Sequence, residues 1–81
     1  MDIKVLGTGC PKCKNLEQRT HEAVKMAGVT ASVTKVEDIL EIMKYGIMTT
    51  PALVIDGKVV VKGRLPSLEE IISLIQDKTE L

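Results

Sequence analysis

The chain contains no tryptophan and no phenylalanine, and Tyr45 is its single aromatic residue. Any core must therefore be aliphatic, and the unstacked bases of a single-stranded nucleic acid would find no stacking platforms. An excess of one charge is missing too: eleven basic residues balance eleven acidic ones, with no long block of like charge. A polyanion meets no basic face, which excludes a nucleic-acid-binding class. Long hydrophobic runs are also absent. The apolar start Ile3-Lys4-Val5-Leu6 is far shorter than a signal-peptide core, and no stretch approaches the roughly 20 apolar residues that span a bilayer. The expectation is a cytoplasmic protein without membrane association, with Met1 as the start of an intact chain.

What the chain does contain is enough for one folded unit. At 81 residues, 44% apolar and 27% charged, it reads as a single globular domain over residues 1–81, near the lower size for a core without staples. Cysteine is scarce: Cys10 and Cys13 are the whole supply. A bond between residues so close closes only a tiny loop and restrains the unfolded chain little, so the pair is poor scaffolding and points instead to redox or metal chemistry.

Hydrophobic periodicity gives the element order. Residues 2–7, with Ile3, Val5 and Leu6, read as a first strand, broken by Gly7-Thr8-Gly9. From Pro11 to Ala27, Cys13, Leu16, Thr20, Ala23, Val24 and Ala27 fall on one helical stripe, with Pro11 suited to a first turn and Gly28 to a stop. Residues 29–36 alternate Val29, Ala31 and Val33 with Thr30, Ser32 and Thr34, the period of a strand. Glu37 and Asp38 then open a short helix carrying Ile39, Leu40, Ile42 and Met43, with Gly46 closing it. Ala52-Leu53-Val54-Ile55, Asp56-Gly57 and Lys58-Val59-Val60-Val61 form a hairpin signal. Pro51 must lie just before the pairing begins. Ser67 and Glu70 have the spacing of a capping box for a last helix that buries Leu68, Ile71, Ile72 and Ile75, and residues 77–81 are expected to fray. The predicted fold is α/β, ordered β-α-β-α-β-β-α, with a four-stranded mixed sheet and three helices; its first two strands are parallel through a helical crossover.

Cys10-Pro11-Lys12-Cys13 carries the chemistry. A sulfur at the start of the first helix meets unpaired backbone N–H groups and the positive end of the helix dipole, which favour thiolate over thiol. Such a setting lowers a thiol from about 8.5 to roughly 3.5–7.5. Cys10 is therefore assigned as nucleophile and Cys13, most of a turn further on and facing inward, as the resolving thiol. Lys12 and Lys14 add positive charge whose effect is screened by solvent.

Together with Tyr45-Gly46-Ile47 and Thr50-Pro51-Ala52-Leu53, the tetrad after the first strand resembles the thioredoxin and glutaredoxin superfamily, most closely its small archaeal and bacterial members. The resemblance implies a thioredoxin-like fold and a protein-disulfide oxidoreductase cycling between dithiol and disulfide. It implies that Pro51 is a cis-proline packed opposite the disulfide and that Thr50 offers backbone to a bound substrate strand. Gly9, Pro11, Lys12, Met48, Thr49, Thr50 and Gly63 are the residues expected to contact substrate. Partners would be protein disulfides and a reductase or small-thiol electron donor, acting on a monomer without cofactor or metal. Gly9 stands where thioredoxins carry tryptophan, and Pro11-Lys12 replaces Gly-Pro. A proline after the first cysteine looks like glutaredoxin, yet Lys12 replaces its tyrosine and Val61-Lys62-Gly63-Arg64 replaces its glycine-rich turn.

The remaining candidates have plainer readings. His21 is expected on the surface of the first helix, Lys62 and Arg64 as solvated charges, and Met43 and Met48 as packing residues. The rival function is metal binding: Cys-x-x-Cys at a helix start also resembles small copper carriers, and thiolates select Cu(I) and zinc. Those carriers have a βαββαβ order, which the expected helix from Glu37 to Tyr45 does not fit. A third reading is a module that captures partner strands without turnover.

Overall fold

The computed structural model describes residues 1–9 and 11–79, with the side chains of 78 and 79 left aside. The elements are β1 (Asp2–Leu6), α1 (Pro11–Ala27), β2 (Ser32–Val36), α2 (Ile39–Lys44), β3 (Ala52–Ile55), β4 (Lys58–Lys62) and α3 (Leu68–Thr79). This is the order expected from the sequence, and it is not that of the copper carriers. The strands form one sheet ordered β2-β1-β3-β4. β1 runs parallel to β2 and antiparallel to β3, and β3 runs antiparallel to β4.

The period of two along β1 and β3 sorts side chains onto two faces. Ile3, Val5, Leu53 and Ile55 join Leu16 and Ala23 of α1 and Ile71 and Ile75 of α3 in the larger core. Leu6, Ala52 and Val54 meet Ile42 and Ile47 on the opposite face, beneath α2. β3 is buried at every position because it lies inside the sheet with both faces covered. Each fully buried Leu or Ile contributes about 1.5–3 kcal/mol, so a small aliphatic core suffices without aromatic residues.

The punctuation behaves as its chemistry requires. Asp56 and Gly57 both have positive φ, 50° and 82°, the twist a two-residue hairpin turn needs between right-twisted strands. Asp56 also accepts the Asp2 N–H on its Oδ1 at 2.8 Å, tying the turn to β1. Thr20 is the one buried polar side chain among the described residues, and its hydroxyl donates to the Leu16 carbonyl at 2.7 Å. Arg19 donates to the Pro66 carbonyl at 2.9 Å and joins α1 to the segment entering α3.

Several local expectations need correction. Strand β1 ends at Leu6, although the Gly7 N–H still donates to the Val36 carbonyl at 3.0 Å. β2 begins at Ser32, because Val29 to Ala31 precede its pairing with β1. In β4, Leu53 faces Val61 and Val54 faces Val59, so Val60 is the extra residue of a bulge and the run does not alternate evenly. Asp38 is the N-cap of α2, accepting the Leu40 N–H at 2.9 Å, and does not stand inside the first turn. Only half of the expected capping box forms. Ser67 Oγ accepts the Glu70 N–H at 3.2 Å, but the Glu70 carboxylate pairs with both Arg64 guanidinium nitrogens. A charge-assisted bidentate pair outcompetes a neutral backbone donor. α3 continues through Asp77 to Thr79, while the fraying expected at 80 and 81 lies outside the described residues.

Candidate functional site

β1 delivers the chain through Gly7-Thr8-Gly9 to the start of α1. Gly9 adopts φ 88°, a conformation that side chains resist. Gly7 is needed for another reason: a Cβ there would lie 2.3 Å from Cys13 Sγ and 2.8 Å from Cys13 Cβ. The strand-to-helix link therefore closes directly onto the cysteine. Cys13, the third residue of α1, is disulfide-bonded and only 5% exposed. Cys10 lies outside the described residues. Pro11 and Lys12 are exposed in the first turn of α1, which carries no acidic residue to offset its positive end.

A second loop meets this one. The Thr50–Pro51 peptide bond is cis, and Pro51 is fully buried immediately before β3. The Gly63 N–H donates to the Pro51 carbonyl at 2.9 Å. Gly63 has φ 73°, and a Cβ on it would come within 2.8 Å of Thr49 Oγ1, so the β4 end and the proline loop fit only with glycine there. Thr8 and Thr50 line one groove of about 300 Å³ with Ile39, Ile42, Met43, Ile47 and Met48. The cysteine loop and the proline loop are thereby neighbours.

That groove revises the reading of the methionines. Met48 is 98% exposed and Met43 61%, so neither fills the core; Ile39 and Leu40 are likewise exposed, at 61% and 70%. Only Ile42 of α2 is buried. The helix is too short to cover its own apolar residues, and an apolar surface stays open beside the proline loop. Sequence reading found Met48, Thr49 and Thr50 but missed Thr8, Ile39, Ile42 and Ile47. The available signal was a six-residue helix with four large apolar residues, more than one buried face can hold.

A smaller cleft of about 60 Å³ is lined by Cys13 together with Val5, Gly7, Gly9, Lys14, Lys35 and Glu37. Elsewhere the electrostatics are of surface type. The Arg64 guanidinium holds the Glu70 carboxyl below its ordinary range and is itself raised by that pair, and Lys4 is raised chiefly by its hydrogen bond to the Tyr45 hydroxyl at 3.3 Å. Arg64 is thus paired with Glu70, where a solvated charge was expected, while Lys62 and His21 are exposed. No group of three or more His, Cys, Asp or Glu among the described residues is arranged to hold a metal ion. No helix among them is long and apolar enough to cross a membrane.

A family model described as a thioredoxin domain matches residues 1–76. The chain belongs to the thioredoxin family. Two archaeal thioredoxins agree with this assignment. One, from Methanothermobacter thermautotrophicus, is 39% identical over 71 residues, covering 88% of this chain and 92% of the relative. The other, from Methanocaldococcus jannaschii, is 39% identical over 69 residues, covering 85% and 79%. A probable thioredoxin from the first organism is 34% identical over 74 residues, 88% of this chain and 86% of its own length. The thioredoxin family is one of thiol–disulfide oxidoreductases, whose general partners are protein disulfides and reductases, and the four-stranded mixed sheet with three helices is its α/β fold.

Proposed function

We propose that this thioredoxin-family protein exchanges protein disulfides through Cys10 and Cys13, with Cys10 as nucleophile and Cys13 as the resolving thiol. The observation that carries the reading is the setting of Cys13. It is disulfide-bonded and buried in the first turn of α1, with Gly7 pressed against its sulfur and the cis Thr50–Pro51 step across the adjoining groove.

In the cycle, the Cys10 thiolate attacks one sulfur of a substrate disulfide, releasing the other as a thiolate and leaving a mixed disulfide. Cys13 then attacks Cys10, regenerating the internal disulfide and freeing the second substrate sulfur. Two electrons pass from the dithiol to the substrate, and an external thiol or reductase restores the pair. The positive end of α1, with no acid in its first turn, favours the attacking thiolate.

The substrate strand lies along Thr49, Thr50 and Pro51, with Gly9, Pro11, Lys12 and Gly63 at the cysteine end and Met48 at the apolar end. Met48 suits adaptable contact because its side chain is unbranched and polarizable. The working location is the cytoplasm, and the working form is a monomer.

Insulin-disulfide reduction driven by dithiothreitol tests the proposal. The unaltered chain should accelerate it, Cys10→Ser should abolish the acceleration, and Cys13→Ser should accumulate a covalent adduct through Cys10. Acceleration that survives loss of Cys10 would remove the assignment.

A further inference from the structure

The chain has four methionines, and the fold places them very differently. Met1 packs against the larger core. Met26 stands near the end of α1, 66% exposed. Met43 and Met48 border one groove with Thr50, the residue on the near side of the cis bond to Pro51. Met48 is almost fully exposed, so its apolar side chain adds no burial to the fold. Its thioether sulfur is open to solvent at the place where an apolar surface borders the proline loop.

Exposure decides how a thioether reacts. Hydroperoxides convert it to a sulfoxide, a polar and chiral group that methionine sulfoxide reductases restore. Cys13, in a disulfide, is barred from the corresponding thiol chemistry. In that state the groove still presents two open sulfurs.

We propose that Met48, with Met43 on the same groove, is a sulfoxidation site through which hydroperoxides weaken substrate docking. This rests on the exchange reading above, because it is the substrate strand that the groove receives. A substrate covering the sulfoxide must desolvate a strong dipole that the apolar lining leaves without a partner, so the sign of the effect is a loss of affinity.

The step balances with the hydroperoxide as sole oxidant. The thioether sulfur attacks the outer peroxide oxygen, the O–O bond breaks as the S–O bond forms, and two electrons pass from sulfur to the peroxide. The remaining oxygen takes up a proton and leaves as an alcohol, or as water when hydrogen peroxide is used. No thiol is consumed, so docking changes while the dithiol couple stays intact.

Met26 supplies an internal comparison. It is as exposed as Met43, yet it lies 15 residues beyond Pro11, roughly 22 Å along the helix axis at 1.5 Å per residue. Its oxidation should leave docking alone.

The test treats the disulfide form of the unaltered chain with hydrogen peroxide, removes the oxidant and locates the added oxygen by peptide mass spectrometry. Dithiothreitol should then recover both thiols, and the KM for insulin reduction should have risen roughly fivefold with kcat retained, the scale of losing part of one methionine's apolar contact. Met48→Gln, which carries a carbonyl dipole in the same place, should raise KM without peroxide. Each leucine variant is compared with its own untreated form: Met26→Leu should keep the peroxide response, and the Met43→Leu, Met48→Leu double variant should lose it. An unchanged KM in chain carrying oxygen on Met48, a Met48 that stays unmodified while Met26 is oxidised, or a response that survives in the double variant would overturn the proposal. Untreated chain that fails to reduce insulin would instead remove the exchange reading, so the two failures are distinguishable.

Discussion

Replacing Gly7 with alanine is a sharp perturbation because two physical effects predict opposite signs. Gly7 does not have a positive φ, so alanine enters a permitted backbone conformation. On chain entropy alone, such a change stabilises a protein by about 0.4–1 kcal/mol. Against this, the new methyl would lie 2.3 Å from Cys13 Sγ and 2.8 Å from Cys13 Cβ. Neither atom can swing away. Cys13 is buried, its sulfur is in a disulfide, and its backbone is fixed in α1. Overpacking of this kind costs typically about 1–3 kcal/mol, which exceeds the entropic gain, so the net expectation is destabilisation by about 1–2 kcal/mol. Urea unfolding of the oxidised chain measures it, with Gly28→Ala as the comparison. Gly28 has φ 68° and nothing within 4 Å of its added Cβ, so that variant suffers backbone strain without a clash. Gly7→Ala should also slow insulin reduction, because it displaces the resolving sulfur, whereas Gly28→Ala should not. A Gly7→Ala protein as stable as its parent would refute the claim that the strand-to-helix link closes on Cys13.

Three further outcomes are expected. Leu16→Ala, which truncates a fully buried side chain of the larger core, should cost about 2–5 kcal/mol in denaturant unfolding. Met48→Asp should leave thermal stability unchanged, since Met48 is almost fully exposed, but should raise the KM for insulin reduction by spoiling the apolar groove. The Arg64 pair lowers the Glu70 carboxyl in the folded state, so its stabilisation is present above the ordinary carboxyl value of 4.5 and fades as pH falls through the depressed one. The difference in melting temperature between parent and Arg64→Ala should therefore be largest near neutrality and shrink on acidification below that value.

The legible parts of this chain are those governed by local chemistry. Asp56-Gly57 specifies a turn by its backbone preference, and Gly28 closes α1 at φ 68° for the same kind of reason. Alternation along β1 and the helical stripe from Cys13 to Ala23 reflect burial on one face, and the buried residues are those of the stripe. Legibility fails where partners come from different elements. Nothing in Gly7-Thr8-Gly9 announces that the first glycine yields to a sulfur six residues on, nor that Gly63 yields to Thr49. Glu70 was read by its spacing from Ser67, but Arg64 offered a charged partner that spacing does not weigh. Met43 and Met48 were read as packing because apolar residues usually pack. Periodicity cannot tell which face of a short helix the fold leaves uncovered, and here that face borders the candidate site. The Glu17, Lys35 and Glu37 cluster joins a helix to a neighbouring strand through the β1–β2 register, which no local pattern contains.

The most direct measurement is a redox titration of the unaltered chain in dithiothreitol buffers of graded potential, followed by thiol alkylation and mass spectrometry. If Cys10 and Cys13 act as one couple, both should become alkylated together, with the reduced-to-oxidised ratio changing tenfold for about every 30 mV, the slope of a two-electron exchange. Singly alkylated protein dominating the midpoint, or a pair that stays oxidised or stays reduced throughout and leaves insulin untouched, would contradict the account.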